Sequence, residues 1–163
     1  MRKVRYVGHS VSENGIELDP DKIEKVKSWP TPSNPEEVRK FLGFIGYYRR
    51  FVQNFAKIAK PLTNLMPTPK KKRSRKQTQN DDQKTKWIWE TEQENAFQQL
   101  KTCLITSPIL GYPIFTQPFE LHRRFRSRIR SCIIPRAGRR VIAYASRGLN
   151  KSEQHYPAHK LKF

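Results

Sequence analysis

Residues 70–86 constrain this chain more than any other feature: they hold eight bases, two acids and no apolar residue. Such a stretch buries nothing, so it cannot belong to a core, and it follows Pro67 and Pro69 as a linker would. The 163 residues are thereby split into a leading and a trailing part, each small. A second basic block covers residues 122–140, with eight arginines and no acid, interleaved with Phe125, Ile129, Ile133 and Ile134. The two blocks carry +6 and +8 of a net charge of +19, and the remainder is only mildly basic. A polyanion is the expected partner. No apolar run approaches the roughly 20 residues of a membrane span, and Met1-Arg2-Lys3-Val4 lacks the apolar core of a signal peptide. Cys103 and Cys132 are too few for a disulfide framework or a zinc knuckle. The expectation is an intracellular chain, in cytoplasm or nucleus, without membrane contact.

In the leading part, residues 3–18 read as a β-hairpin: Val4, Tyr6, Val7 and Val11 run into Asn14-Gly15, and Ile16 and Leu18 return. Asp19-Pro20 then supplies a cap and a good first helical residue, Ile23 and Val26 share a face, and Trp29-Pro30 ends the helix. Asn34-Pro35-Glu36-Glu37 opens a longer helical stretch with a capping-box signal. Its apolar positions run from Val38 to Leu65 at steps of three or four, with Gly43, Gly46 and Pro61 marking breaks or close packing. Past the linker, Trp87 and Trp89 precede a helix capped at Thr91, whose face is Ala96, Phe97, Leu100 and Leu104 and whose end is Ser107-Pro108. Phe119-Glu120-Leu121-His122 reads as a strand, and Val141-Ile142-Ala143-Tyr144-Ala145 as a buried central one. From Leu149 to Phe163 a short loop leads into the start of a helix.

The motifs resemble a known family along nearly the whole chain. Val7-Gly8-His9-Ser10-Val11-Ser12 with Asn14-Gly15-Ile16, Trp29-Pro30-x-Pro32, Arg39-x-Phe41-Leu42-Gly43, Tyr47-Tyr48-Arg49-Arg50-Phe51 and Pro61-Leu62 resemble the palm end and thumb of gypsy-type retrotransposon reverse transcriptases. Trp87 to Lys101, Ser107-Pro108-Ile109-Leu110, Pro118-Phe119-x-Leu121-His122 and Ile142 to Asn150, with Glu153 and Tyr156, resemble the adjoining RNase H-like domain. The resemblance implies a fragment of a Pol polyprotein of α+β and α/β class. Its parts would be a palm-end hairpin (1–18), a helical thumb (19–66), a basic disordered linker (67–86) and a truncated RNase H-like domain (87–163). The partners implied are RNA, DNA or an RNA–DNA hybrid, and other segments of the polyprotein.

The chemistry of such a family needs carboxylates. Two-metal cleavage of a phosphodiester requires several of them around two ions, and after Glu94 the chain has only Glu120 and Glu153. The family's Thr-Asp-Ala-Ser, whose Asp binds metal, follows the strand ending in His122; here Arg123-Arg124-Phe125-Arg126 follows. A second family carboxylate aligns with Lys162, the polymerase aspartates would precede Met1, and a last Asp would lie past Phe163. The family uses magnesium; this chain is expected to hold none, to have no catalytic residue and to be inactive. One permitted codon choice for Arg123 to Arg136, read one base later, gives Asp-Ala-Ser-Gly-Arg-Gly-Phe-Gly-Ala-Val-Leu-Tyr-Gln. That is the missing motif running into its strand, so a local frameshift is the expected origin of the arginines. Arginine on both faces of such a strand is costly to bury, and the trailing domain is expected to fold poorly.

Candidate nucleic-acid-binding residues are Arg39, Lys40, Arg49 and Arg50 on the thumb-like helices, with Lys70, Lys71, Lys72, Arg73, Arg75 and Lys76 in the linker. Each has a plainer reading. The helix charges suit any solvated face, and the lysine run suits a solvated linker or a nuclear import signal. Tyr47 and Tyr48 fit core positions better than base-stacking platforms, Cys103 fits packing, and His155 and His159 lack a third metal ligand nearby. The arginines at 123–130 suit an RNA-binding arm or a frameshift by-product. The functional classes left open are a polymerase–nuclease fragment, a nonspecific nucleic-acid-binding module, and a degenerate retroelement product with no selected role.

Overall fold

The computed structural model describes residues 3–66, 87–116, 118–125, 128–135, 140–149 and 153. The linker at 67–86, with its six candidate bases, lies outside them, as do His155 and His159 and the expected terminal helix.

The leading segment forms an antiparallel three-stranded sheet rather than a single hairpin: β1 (Val4–Tyr6), β2 (His9–Ser12) and β3 (Gly15–Leu18) in that order. Tyr6 pairs with His9, so Val7-Gly8 is a two-residue turn, and both residues have positive φ, 46° and 74°. That conformation matches the twist of the flanking strands. For β-branched Val7 it is strained by about 1–3 kcal/mol, and a residue that favours strands and disfavours positive φ reads from sequence as part of a strand. The second turn is Glu13-Asn14, because Ser12 pairs with Gly15. Gly15 is thus not a turn residue. Its φ is 131°, and a Cβ there would collide with the Leu110 carbonyl. The absent side chain lets β3 pair with the distant segment around Leu110, through Ile16 N–H to Leu110 O at 2.9 Å and its reciprocal at 2.8 Å.

Helix α1 (Pro20–Lys27) starts as its sequence predicts, with the Asp19 carboxylate accepting from the Asp21 N–H at 3.1 Å. Helix α2 (Pro35–Tyr47) is capped by Asn34, which accepts from the Glu37 N–H at 2.9 Å. Glu37 reaches back to the Ser33 N–H, at 2.7 Å, instead of the cap residue itself. These bonds hold the Glu37 carboxyl below its usual range, first through the Ser33 backbone and then the Ser33 hydroxyl. The helix runs straight through Gly43 and Gly46, which face open space and neither break it nor admit a close neighbour. The breaks come later. A 3₁₀ turn (Arg49–Phe51) follows Tyr48, Asn54 takes φ 61°, and the short helices α3 (Phe55–Ile58) and α4 (Lys60–Asn64) follow, Pro61 lying in the first turn of α4. Tyr48, Phe51 and Val52 are all buried across this turn.

Helix α5 (Thr91–Ile105) is capped by Glu90, one residue before the expected Thr91, with Gln93 closing a capping box. Ala96, Phe97, Leu100 and Leu104 are buried as predicted. They complete the same core as the thumb-like helices: the Phe97 ring lies 4.6 Å from that of Phe41, and Trp29 sits edge-on to Phe41 at 5.6 Å. Lys101 donates to the carbonyls of Lys27 (2.9 Å) and Trp29 (3.0 Å), satisfying the end of α1 from across that core.

A second antiparallel sheet has the order β4 (Phe119–Phe125), β5 (Arg128–Pro135), β6 (Ala143–Gly148). The strand expected at 141–145 begins two residues later, and among the described residues it is an edge strand, only partly buried. β5, inside the arginine block, occupies the middle. Sheet β4–β6 joins the helices through β6, where the Ser146 hydroxyl accepts from the Ala56 N–H at 2.9 Å. Among the described residues no helix is long and apolar enough to cross a membrane.

Candidate nucleic-acid interface

Period-two alternation in β2 puts His9 and Val11 on one face and Ser10, which is buried, on the other. His9 and Val11 face a shallow cavity of about 300 Å³, together with Tyr6, Val7, Ile16, Tyr47 and Arg50. The His9 imidazole packs against three rings, Tyr47 at 5.5 Å, Tyr48 at 5.6 Å and Phe51, stacked, at 5.7 Å. Its Nδ1–H donates to the Val7 carbonyl at 3.0 Å, which leaves Nε2 as an acceptor, and that atom is buried without a hydrogen-bond partner. Arg50 is half-buried, its guanidinium 5.9 Å from the Phe51 ring centre, and its Nε is likewise buried and unpartnered. His9 and Arg50 thus line one groove, with these two nitrogens buried beneath its surface. A buried nitrogen without a partner costs free energy.

The two tyrosines part company. Tyr48 is buried, and burial first, then Tyr47 and Asp19, raises its phenol above the ordinary value. Tyr47 is about half exposed, donating to the Val7 carbonyl at 3.2 Å, and offers an open ring at the groove mouth.

Of the sequence-predicted bases, Arg50 lines this groove and exposed Arg49 precedes it on the 3₁₀ turn. Arg39 and Lys40 are exposed on α2, where Lys40 pairs with Glu36 at 3.2 Å, a surface pair of little energetic weight. His9 and Tyr6 were missed as site residues. The available signal was the alternation around His9, which leaves a polar ring on an otherwise apolar face.

A larger cavity, about 590 Å³, lies between α3, α5 and β6, with Asn54, Lys57, Cys103 and Tyr144 among its walls. Burial raises the Cys103 thiol, consistent with packing.

The two carboxylates beyond Glu94 stand apart from one another in their contacts. Glu120 stands exposed on β4 with His122 at 3.4 Å, and Glu153 is held by both terminal nitrogens of Arg147 at 3.0 and 3.1 Å. A bidentate guanidinium already neutralises Glu153. Among the described residues there is no group of three His, Cys, Asp or Glu side chains placed to hold a metal. These residues do not fit a two-metal centre.

Comparison with known proteins agrees with the fold. Residues 89–163 match the RNase H-like domain found in reverse transcriptase. Pol polyproteins of retrotransposons are similar along nearly the whole chain. It is 37% identical over 157 residues to the retrovirus-related Pol polyprotein from transposon opus of Drosophila melanogaster, covering 94% of this chain and 15% of that one. Against the Pol polyprotein from transposon gypsy of the same species it is 34% identical over 154 residues, covering 94% and 14%. The chain therefore spans about a seventh of the length of these relatives. Among solved structures, the foamy viral protease-reverse transcriptase in complex with an RNA/DNA hybrid superposes with a TM-score of 0.79 at 21% identity, over 97% of this chain and 20% of that one.

Proposed function

We propose that this chain is a nucleic-acid-binding segment of a reverse transcriptase/RNase H polyprotein that neither copies nor cuts its ligand. The observation that carries the reading is the groove at His9, Tyr47 and Arg50. The half-buried Arg50 guanidinium suits a backbone phosphate, and the exposed Tyr47 ring suits a base or sugar face. Arg39, Lys40 and Arg49, with Lys70, Lys71, Lys72, Arg73, Arg75 and Lys76, add sequence-independent phosphate contacts. The solved foamy viral relative of this fold is a complex with RNA/DNA hybrid, which supports the same ligand class. The non-catalytic half of the reading rests on the sequence, which after Glu94 has only Glu120 and Glu153 where two-metal chemistry needs several carboxylates.

The test uses fluorescence anisotropy with a labelled RNA–DNA hybrid. The double variant Tyr47→Ala/Arg50→Ala should bind about 10-fold more weakly, as expected for one lost stacking contact and one lost phosphate contact. Unchanged affinity would refute the groove as the site. Incubating the wild-type chain with hybrid and magnesium should leave the RNA intact, and metal-dependent cleavage would overturn the non-catalytic reading.

A further inference from the structure

The cavity of about 590 Å³ between α3, α5 and β6 has one wall made by a single stripe of α5. Asn95, Gln99 and Cys103 stand four residues apart and so share a helix face. Gln53, Asn54 and Lys57 line the cavity from the α3 side, and β6 adds the half-buried Tyr144. Four side-chain amides therefore meet one space, each with a donor and an acceptor side by side. The α5 amides outside the cavity are used by the protein: Gln98 donates to Glu94 at 2.8 Å, and Gln93 accepts from the Glu90 N–H at 3.2 Å. Among the described residues the four cavity amides make no such bond. Asn54 has a backbone reason for its place, since its φ of 61° is one that asparagine tolerates. Gln53, Asn95 and Gln99 have no such reason. Val52, Ile58 and Ala96 supply apolar lining, and the charged groups are one ammonium, Lys57, and one carboxylate, Glu92.

We propose that this cavity binds a single unpaired nucleotide, with the side-chain amides reading its base edge and Lys57 meeting its phosphate. Asparagine and glutamine pair in bidentate fashion with a base edge, that of adenine above all. The Tyr144 ring and the apolar lining suit the flat face of the base. The volume falls within the range of small-ligand sites, about 300–1,000 Å³. Glu92 opposes a bare phosphate, so the base has to supply most of the recognition. A neutral peptide could use the same amides, but Lys57 and a net charge of +19 favour an anionic ligand. Among the described residues the cavity and the His9 groove share no lining side chain, and the inference does not rest on the groove.

The test uses the whole chain carrying Cys132→Ser, which leaves Cys103, on the cavity wall, as the one thiol. Adenosine monophosphate should slow its reaction with Ellman's reagent, by about 10-fold at roughly ten times the Kd, because only unoccupied protein reacts. Ribose phosphate, which carries the charge without the base, should not slow it. Asn95→Ala/Gln99→Ala alters two exposed helix positions to the best helix former, so the fold should stand. With a bidentate base contact gone, half-protection should need at least about 5-fold more nucleotide. Comparing half-protecting concentrations cancels any change in the intrinsic reactivity of the thiol. An unshifted concentration in the variant overturns the proposal. So does the absence of protection by adenosine monophosphate, or equal protection by ribose phosphate, and neither of these needs the variant. Hybrid anisotropy reads the His9 groove and thiol protection reads this cavity, so each reading can fail alone.

Discussion

Replacing Phe97 with alanine tests whether the helix after the linker is part of the same core as the helices before it. Phe97 is fully buried, with Phe41 at 4.6 Å, Trp89 edge-on at 6.1 Å and the Lys101 ammonium 5.1 Å from its ring centre. Truncating such a ring loses its transfer free energy and leaves a cavity, together about 3–5 kcal/mol. For a domain stable by about 5–15 kcal/mol that is a large share, so the milder Phe97→Leu serves as the working variant. It removes the ring–ring term, about 0.5–1.5 kcal/mol for the Phe41 contact, and adds a smaller cavity cost. Urea unfolding followed by tryptophan fluorescence is well placed to read it, since Trp29 lies against Phe41 and Trp89 against Phe97. Combining Phe97→Leu with Phe41→Leu should give a coupling of about 0.5–1.5 kcal/mol. If the two changes add within about 0.5 kcal/mol, or if Phe97→Ala costs less than about 1 kcal/mol against the range above, the two halves do not share a core.

Four further outcomes follow from single contacts. Gly15→Ala should destabilise by at least about 2 kcal/mol, seen as a lower Tm, because it combines a left-handed φ with a collision against the Leu110 backbone. Lys101→Met should cost about 1–3 kcal/mol in urea unfolding, since the carbonyls of Lys27 and Trp29 lose a charged donor. The Glu37 carboxyl titrates lower folded than unfolded, so its contribution is complete above the unfolded value, near 4.3–4.5, and fades as pH falls through the folded one. Glu37→Gln should accordingly flatten the acid limb of the stability profile, and superimposable wild-type and variant profiles would contradict this. In a Cys132→Ser background, the raised, half-buried Cys103 thiol should react with Ellman's reagent at pH 8 more slowly than in the urea-unfolded chain, and equal rates would contradict its packing.

How much of this was legible in the sequence depends on how far away the deciding contact lies. The caps at Asp19 and Asn34 and the apolar face of α5 are local, and their signals are local too. Gly15 looked like a turn residue because Asn-Gly usually is one; its actual constraint is the Leu110 backbone, nearly a hundred residues on. Gly43 and Gly46 looked like helix breaks, yet α2 runs through both and the chain turns at Tyr48 and Asn54 instead. The groove was half legible: Tyr47, Arg49 and Arg50 stand together in sequence, whereas His9 joins them only because β2 folds back against α2.

The arginine block is the sharpest conflict between local pattern and observed pairing. Guanidinium groups at alternating and successive positions contradict any strand with a buried face, yet 128–135 pairs on both sides and occupies the middle of its sheet. The flanking residues resolve this in part. Phe119 and Leu121 are level with Pro135 and Ile133, and Ile133 in turn with Ala143, so the end of the hairpin away from the arginines has the apolar alternation a sheet needs. Phe119 and Leu121 are themselves 40% and 48% exposed, so what they contribute to the register is cross-strand contact rather than burial.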